Sequence, residues 1–177
     1  MSNMEFNDFY SPTHEVTPLT MAVLAQFDMD GNSRTCVLEE QTDYTVLVSS
    51  SKIIDNACKY FGASLRGRQD GTRDICGLTH KAPIAVDPSS GMYFFPTTSP
   101  ANPKCSWIAH SHIDQVSKVD QNETEILFKN GRRITIPVSY GSMLNQIQRT
   151  AQFRYLLDNR IKYLLKQNGE MVAEPFA

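Results

Sequence analysis

Six side chains are of the types that hold zinc: Cys58, Cys76, His80, Cys105, His110 and His112. Four ligands must converge on one point, and sequences that build such a site usually supply them as tight pairs. The nearest approach to pairs here is Cys76-x3-His80 and His110-x-His112, only loosely of that kind. Reduced buried thiols and hydrogen-bonded histidines are the plainer reading of the same residues. Alternation would place His110 and His112 on one face of a strand, which fits either a metal site with Cys105 or a polar sheet face. A Cys105 thiolate with His110 as its base is a second chemistry, and with it a metal- or thiol-dependent enzyme becomes the alternative function. No nucleophile elbow surrounds Cys105, however, and such dyads form in space rather than in sequence. Asp28, Asp30, Asn32 and Glu39 occupy positions 1, 3, 5 and 12 of a calcium-binding loop, but Ser33 stands where that loop needs glycine. A hairpin turn is the better account, and no cofactor is expected.

A different chemistry is suggested by residues 61–73, FGASLRGRQDGTR, where three arginines and three glycines gather against one aspartate. Arg66-Gly67-Arg68 would carry two guanidinium groups on a thin backbone, suited to the narrow, electronegative minor groove of A/T-rich DNA. Arg73, Lys81, Arg132, Arg133 and Arg149 are then candidate phosphate contacts, with Arg68 the first choice for groove insertion and Arg66 its helper. Asp70 within the same stretch works against this.

These residues must be positioned by a mixed α+β framework. TMAVLAQF, SRTCVLEE and DYTVLVS read as strands, with Asp30-Gly31-Asn32 as the first turn. Ser50 and Ser51 are N-cap candidates for a short helix near 51–61, closed by Gly62. Residues 63–105, rich in Gly, Pro, Ser and Thr, are expected to be extended and turn-rich. TEILFKNGRRITIPVS is a hairpin signal around Asn130-Gly131, a dipeptide that type I′ turns favour. Residues 142–166 read as a long C-terminal helix. Met143, Leu144, Ile147, Ala151 and Tyr155 form one apolar stripe, and Phe153, Leu157, Ile161 and Leu164 a neighbouring one, which suggests a kink or two helices. Asn145, Arg149, Gln152, Asn159 and Arg160 share the polar side. The expected whole is a mostly antiparallel sheet with helices.

At 177 residues, 41% hydrophobic and 20% charged, the chain has the composition of one globular domain. Residues 1–18 read as a loosely held acidic leader, and 19–177 as the domain. MSNMEFNDFY has no secretory pattern and no apolar run is long enough to span a bilayer, so a cytoplasmic location is expected and no membrane partner. Four widely spaced cysteines, without a C-x-x-C pair, suit a reducing compartment. The net charge of -2 hides a division: residues 1–50 hold one Lys/Arg against eight Asp/Glu, and residues 51–150 hold twelve against eight. A basic middle section behind an acidic leader is compatible with a nucleic-acid surface.

The residues that carry a family resemblance run in order over 53–151. They are Phe61-Gly62 with Ser64, Gly67-Arg68 with Gly71-Thr72, His80-Lys81-x-Pro83-Ile84, Val86-Asp87-Pro88-Ser89 and Phe95-Pro96-Thr97. Cys105-x-Trp107-Ile108-x-His110-x-His112, Asn130-Gly131, Pro137-x-Ser139-Tyr140 and Asn145-Gln146 with Arg149-Thr150-Ala151 complete the string. Together they resemble the competence transcription factor family ComK. The resemblance implies an activator, not an enzyme, that recognises A/T-rich promoter DNA chiefly through the minor groove and switches on genes for DNA uptake. It also implies a homo-oligomer, a nucleoid-associated location, and RNA polymerase and a proteolytic adaptor protein as partners. The family pattern G-R-x-x-G-T carries over Arg68 but not Arg66. The ending NGEMVAEPFA is shorter than the family's tail, so activation and adaptor recognition are the implied functions that it puts in question.

Overall fold

The computed structural model describes residues 10–11 and 15–172. Most of the expected leader and the final residues 173–177 lie outside the described residues. Of residues 15–18, Val16 joins the buried core and the Pro18 carbonyl meets His112 Nε2 at 2.7 Å.

The α+β class holds. The main sheet has seven strands: β1 (Tyr10–Ser11), β2 (Thr20–Phe27), β3 (Ser33–Glu39), β4 (Asp43–Val46), β5 (Ile84–Asp87), β6 (Met92–Pro96) and β7 (Trp107–Ala109), in the order β1-β4-β3-β2-β7-β6-β5. All neighbours are antiparallel except β1, which runs parallel to β4. A second antiparallel sheet comprises β8 (Ile113–Lys118), β9 (Thr124–Phe128) and β10 (Arg133–Ile136). Among the described residues, three α-helices complete the fold: α1 (Ser50–Tyr60), α2 (Leu65–Cys76) and α3 (Tyr140–Val172).

Runs such as MYFFP are apolar throughout because the main sheet is covered on both faces. One face, with Val23, Val37, Phe94 and Trp107, packs under Ile53, Ile54, Ala57 and Cys58 of α1. The other, with Ala22, Leu38, Phe95 and Ile108, packs against Ile126, Phe128 and Ile136 of the small sheet and Met143 of α3. A third cluster, Ala85, Tyr93 and Phe153 with Ile75 and Leu157, seats α2 and α3 at the β5 end.

Four local expectations need correction. The cap of α1 is Ser49, whose hydroxyl accepts from the Lys52 N–H, rather than Ser50 or Ser51. Ser50 and Ser51 instead donate to the Cys105 and Pro100 carbonyls. The Asn130-Gly131 connection is a three-residue loop, not a two-residue I′ turn: Gly131 N–H donates to Phe128 O and Phe128 N–H to Arg132 O, with only Gly131 left-handed at φ 90°. Met29-Asp30-Gly31 closes β2 on β3 with the same bond pattern, and the Asp28 carboxylate accepts from Asp30 and Asn32 N–H groups, so the calcium-like spacing is that of a hairpin loop. The third correction is His110–His112, a 3-10 turn rather than a strand, so the two rings do not share a sheet face. The fourth is that α3 is one uninterrupted helix, not two.

The largest departure is α2, where an extended segment was expected. Ser64 caps it by accepting from Gly67 N–H, Gly77 at φ 70° ends it, and Leu65 N–H donates to the Asp55 carboxylate of α1. Two helical glycines cost about 1 kcal/mol each relative to alanine. That cost is offset by tertiary contacts: Leu65 packs on the core, and the buried Thr72 hydroxyl reaches the Pro83 carbonyl at 2.6 Å.

Candidate nucleic-acid interface

Helix formation re-sorts the arginines of the Gly-rich stretch. Arg66 and Arg73 are seven residues apart, two helical turns, and project from the same exposed side of α2. Arg68, on another side, turns toward β5, where Nη2 donates to the Val86 carbonyl at 3.3 Å while its Nε is enclosed without a partner. The residue expected to enter a groove therefore fastens α2 to the sheet in this structure. Arg66 has no ion-pair partner among the described residues. Arg73 meets Asp70 at 3.2 Å, an exposed pair that costs little to separate.

Gln69 and Arg73 border a cleft of about 470 Å³, which His80, Lys81, Thr98 and Ser99 also line. Lys81 sits at φ 47°, the one non-glycine left-handed residue among those described. That conformation costs about 1–2 kcal/mol in a residue with a Cβ, and α3 holds it in place. Gln146 donates from Nε2 to both the Lys81 and Pro96 carbonyls, at 3.0 and 2.7 Å. Arg149 donates to Gln146 Oε1 and to the His80 carbonyl, at 2.7 and 2.6 Å. With its backbone fixed from behind, the Lys81 side chain is left exposed beside Arg73. Arg149, expected on an outer polar face, is thus a clamp for the loop that carries Lys81.

Arg132 and Arg133 lie far from this arrangement in chemical character. Arg132 makes a bidentate pair with Asp43 at 2.7 and 3.1 Å and also reaches Glu39 O, tying the small sheet to the β3–β4 turn. Asp43 holds the Arg132 guanidinium still more firmly protonated than usual. Arg133 pairs with Glu125 of the neighbouring strand at 2.7 Å.

The zinc candidates do not converge: among the described residues no group of three His, Cys, Asp or Glu side chains could hold a metal ion. Cys105 Sγ points to the Thr98 carbonyl, His112 meets Pro18 and Glu40, and His110 faces Lys129 and Arg154. Burial pushes the Cys105 thiol up, and that of Cys58 up to about 11. Both are protonated thiols at neutral pH, the weak form of a nucleophile.

Gln146, which fixes the Lys81 backbone, is the contact that polarity concealed. A glutamine and a threonine, Gln146 and Thr150, occupy buried positions of α3 between Met143 and Phe153. The signal was their helical spacing from those two apolar residues, not their type.

The ComK protein family model matches residues 12–162. The chain is also similar to the competence transcription factor of Bacillus subtilis (strain 168), 35% identical over 163 residues that cover 92% of this chain and 84% of the relative. No solved structure matches it. Over most of its length, then, and through the very residues that fasten α2, α3 and the Lys81 loop together, this chain belongs to the ComK protein family.

Proposed function

We propose that the protein is a DNA-binding transcriptional activator of competence genes, and that it meets A/T-rich promoter boxes through the face formed by α2 and the Lys81 loop. The observation that carries this reading is the family match across residues 12–162, joined to exposed cations on one surface. Arg66 and Arg73 lie about 10 Å apart along the helix axis. That separation suits contacts to the phosphates on either side of a minor groove about 6 Å wide. Lys81, Gln69, Thr98 and Ser99 add donors along the adjoining cleft. Affinity would come from phosphate neutralisation, and preference for A/T tracts from groove width and ease of deformation. Arg68 and Arg149 add positive charge with donors engaged within the fold, while Arg132 and Arg133 are each offset by a carboxylate.

The same reading includes a homo-oligomer. Exposed Tyr155, Tyr163, Leu164 and Leu165 on α3 supply apolar surface for self-association. RNA polymerase and a proteolytic adaptor complete the proposed partners, and the nucleoid is the proposed location.

The test is a fluorescence anisotropy titration on a duplex with paired A/T tracts and on a G/C-rich control, each at two salt concentrations. Preference for the A/T duplex that persists at the higher salt is the expected result. Equal, salt-labile binding to both duplexes would overturn sequence recognition, and no binding would overturn the DNA-binding role itself.

A further inference from the structure

A second convergence of basic groups lies between β8, the β9–β10 loop and α3, in a cavity of about 330 Å³. We propose that this cavity binds a small organic anion, its oxyanion head held by His110, Lys129 and Arg154 and its apolar body against Ile113, Val116 and Ile147. The three basic residues come from three separate elements: the 3-10 turn after β7, the hairpin loop and α3.

Arg154 is held rigidly and left without a counter-charge. Its Nη1 donates to Ser111 Oγ at 2.8 Å, its guanidinium carbon stands 4.9 Å from the Tyr93 ring centroid, and no carboxylate reaches it within ion-pair distance among the described residues. Arg132 and Arg133, by contrast, each have a carboxylate partner. Lys129 is placed by its own backbone N–H, which donates to the His112 carbonyl at 2.9 Å. His110 Nδ1 is enclosed and has no hydrogen-bond partner. Buried polar atoms are almost always satisfied, and an orphan marks the place of a water or an ion. A water would satisfy that nitrogen but leave Arg154 and Lys129 without an ion pair; an oxyanion contacts all three groups, with the exposed Asp114 the one opposing charge in the lining. The remaining wall is largely aliphatic, which favours an anion with an apolar body over a bare inorganic ion.

The charged groups that face His110 are Arg154 from α3, Lys129 from the loop and Asp114 from β8. Burial first, and then the two cations, depress the His110 pKa. A bound oxyanion reverses the sign of that local field. By linkage, anion binding must raise the His110 pKa, and protonation of His110 must tighten anion binding.

The experiment is an NMR titration of the imidazole resonances of the full chain with benzoate and, separately, with inorganic phosphate, against chloride at equal ionic strength. The expected result is a saturable shift and a raised pKa at His110, with His80 and His112 unmoved, and tighter binding of benzoate than of phosphate. Lys129→Gln, a change on an exposed loop, is expected to weaken benzoate several-fold. Arg154→Leu should weaken it further, about tenfold or more. Phosphate binding as tight as benzoate would overturn the apolar half of the proposal. A response shared equally by His110, His80 and His112, or none at His110, would overturn the site. None of these readouts depends on DNA, so the site and the DNA-binding role stand or fall separately.

Discussion

The α2 stretch and the β9–β10 hairpin look alike as sequence, each with arginines near a glycine, yet folding gives the outward arginines of α2 and those of the hairpin different electrostatic fates. In the hairpin, Arg132 and Arg133 each meet a carboxylate at 2.7 Å. In α2, Arg66 is unpaired among the described residues and Arg73 shares only the exposed Asp70. The difference lies in what each backbone brings near. Cross-strand pairing puts Glu125 opposite the region of Arg133, and docking of the two sheets brings Asp43 to Arg132. The outward side of a surface helix meets no facing element. Counting cations therefore overstates the basic surface, because a guanidinium already bonded within the fold must break those bonds before it can bind a phosphate.

The sharpest way to break this comparison is to release the loop that serves the α2 face. Gln146→Ala leaves the part-buried Lys81 carbonyl and the buried Pro96 carbonyl without this donor and removes one of the two anchors of Arg149. It is expected to lower stability by about 2–3 kcal/mol. Urea unfolding measures this, and a change below about 0.5 kcal/mol would show that the clamp does not hold the loop.

Next in size, Lys81→Ala, Arg66→Ala and Arg73→Ala are each expected to weaken A/T-duplex binding by about 1–2 kcal/mol and to reduce the salt slope by about one. Arg133→Ala should leave both unchanged, and the same anisotropy assay compares all four. If Arg133→Ala cost as much as Lys81→Ala, pairing within the fold would not be what separates the two regions.

Arg132→Ala should do the reverse. A loss of about 1 kcal/mol of stability is expected from the bidentate contact and the Glu39 carbonyl, discounted because the pair is partly solvated. DNA affinity should stay level, and a fall in affinity without a fall in stability would place Arg132 at the interface.

The smallest effect concerns Asp55, which accepts from Leu65 N–H at the start of α2 and from Lys59. These two bonds, the first being the larger, hold its pKa below the usual carboxylate value. A depressed folded-state pKa stabilises above the unfolded value, near 4, and that contribution is lost as pH falls through the folded one. The group is largely solvated, so less than about 1 kcal/mol is expected. Urea midpoints at pH 6 and pH 3 should differ less in Asp55→Asn than in the native chain, and an unaltered difference would remove Asp55 as a tether of α2.

Much of the framework was legible in the residues. Alternation marked β2, β3, β9 and β10, the 3.6-residue period marked α3, and glycines after Asp30 and Asn130 marked the hairpins. The site was legible only in part. Charge pointed to Lys81, Arg66 and Arg73, which the fold leaves exposed, whereas Arg68, expected in the groove, and Arg149, expected on a polar helix side, make hydrogen bonds that join elements. Nor did any local pattern show that Gln146 fixes the backbone at Lys81, because the two are 65 residues apart.

The sequence by itself determined what short-range sterics and solvent partition can determine: strand and helix periods, left-handed glycine positions, and membership of a family. Only the tertiary structure decided that the Gly-Arg stretch is a helix, since its propensity is poor and its stability comes from the Pro83 carbonyl, the Asp55 carboxylate and the core around Leu65. Only it decided which arginines remain available, because a charge is neutralised by whatever lies within about 4 Å after folding, and for Arg132 those partners lie some ninety residues away along the chain.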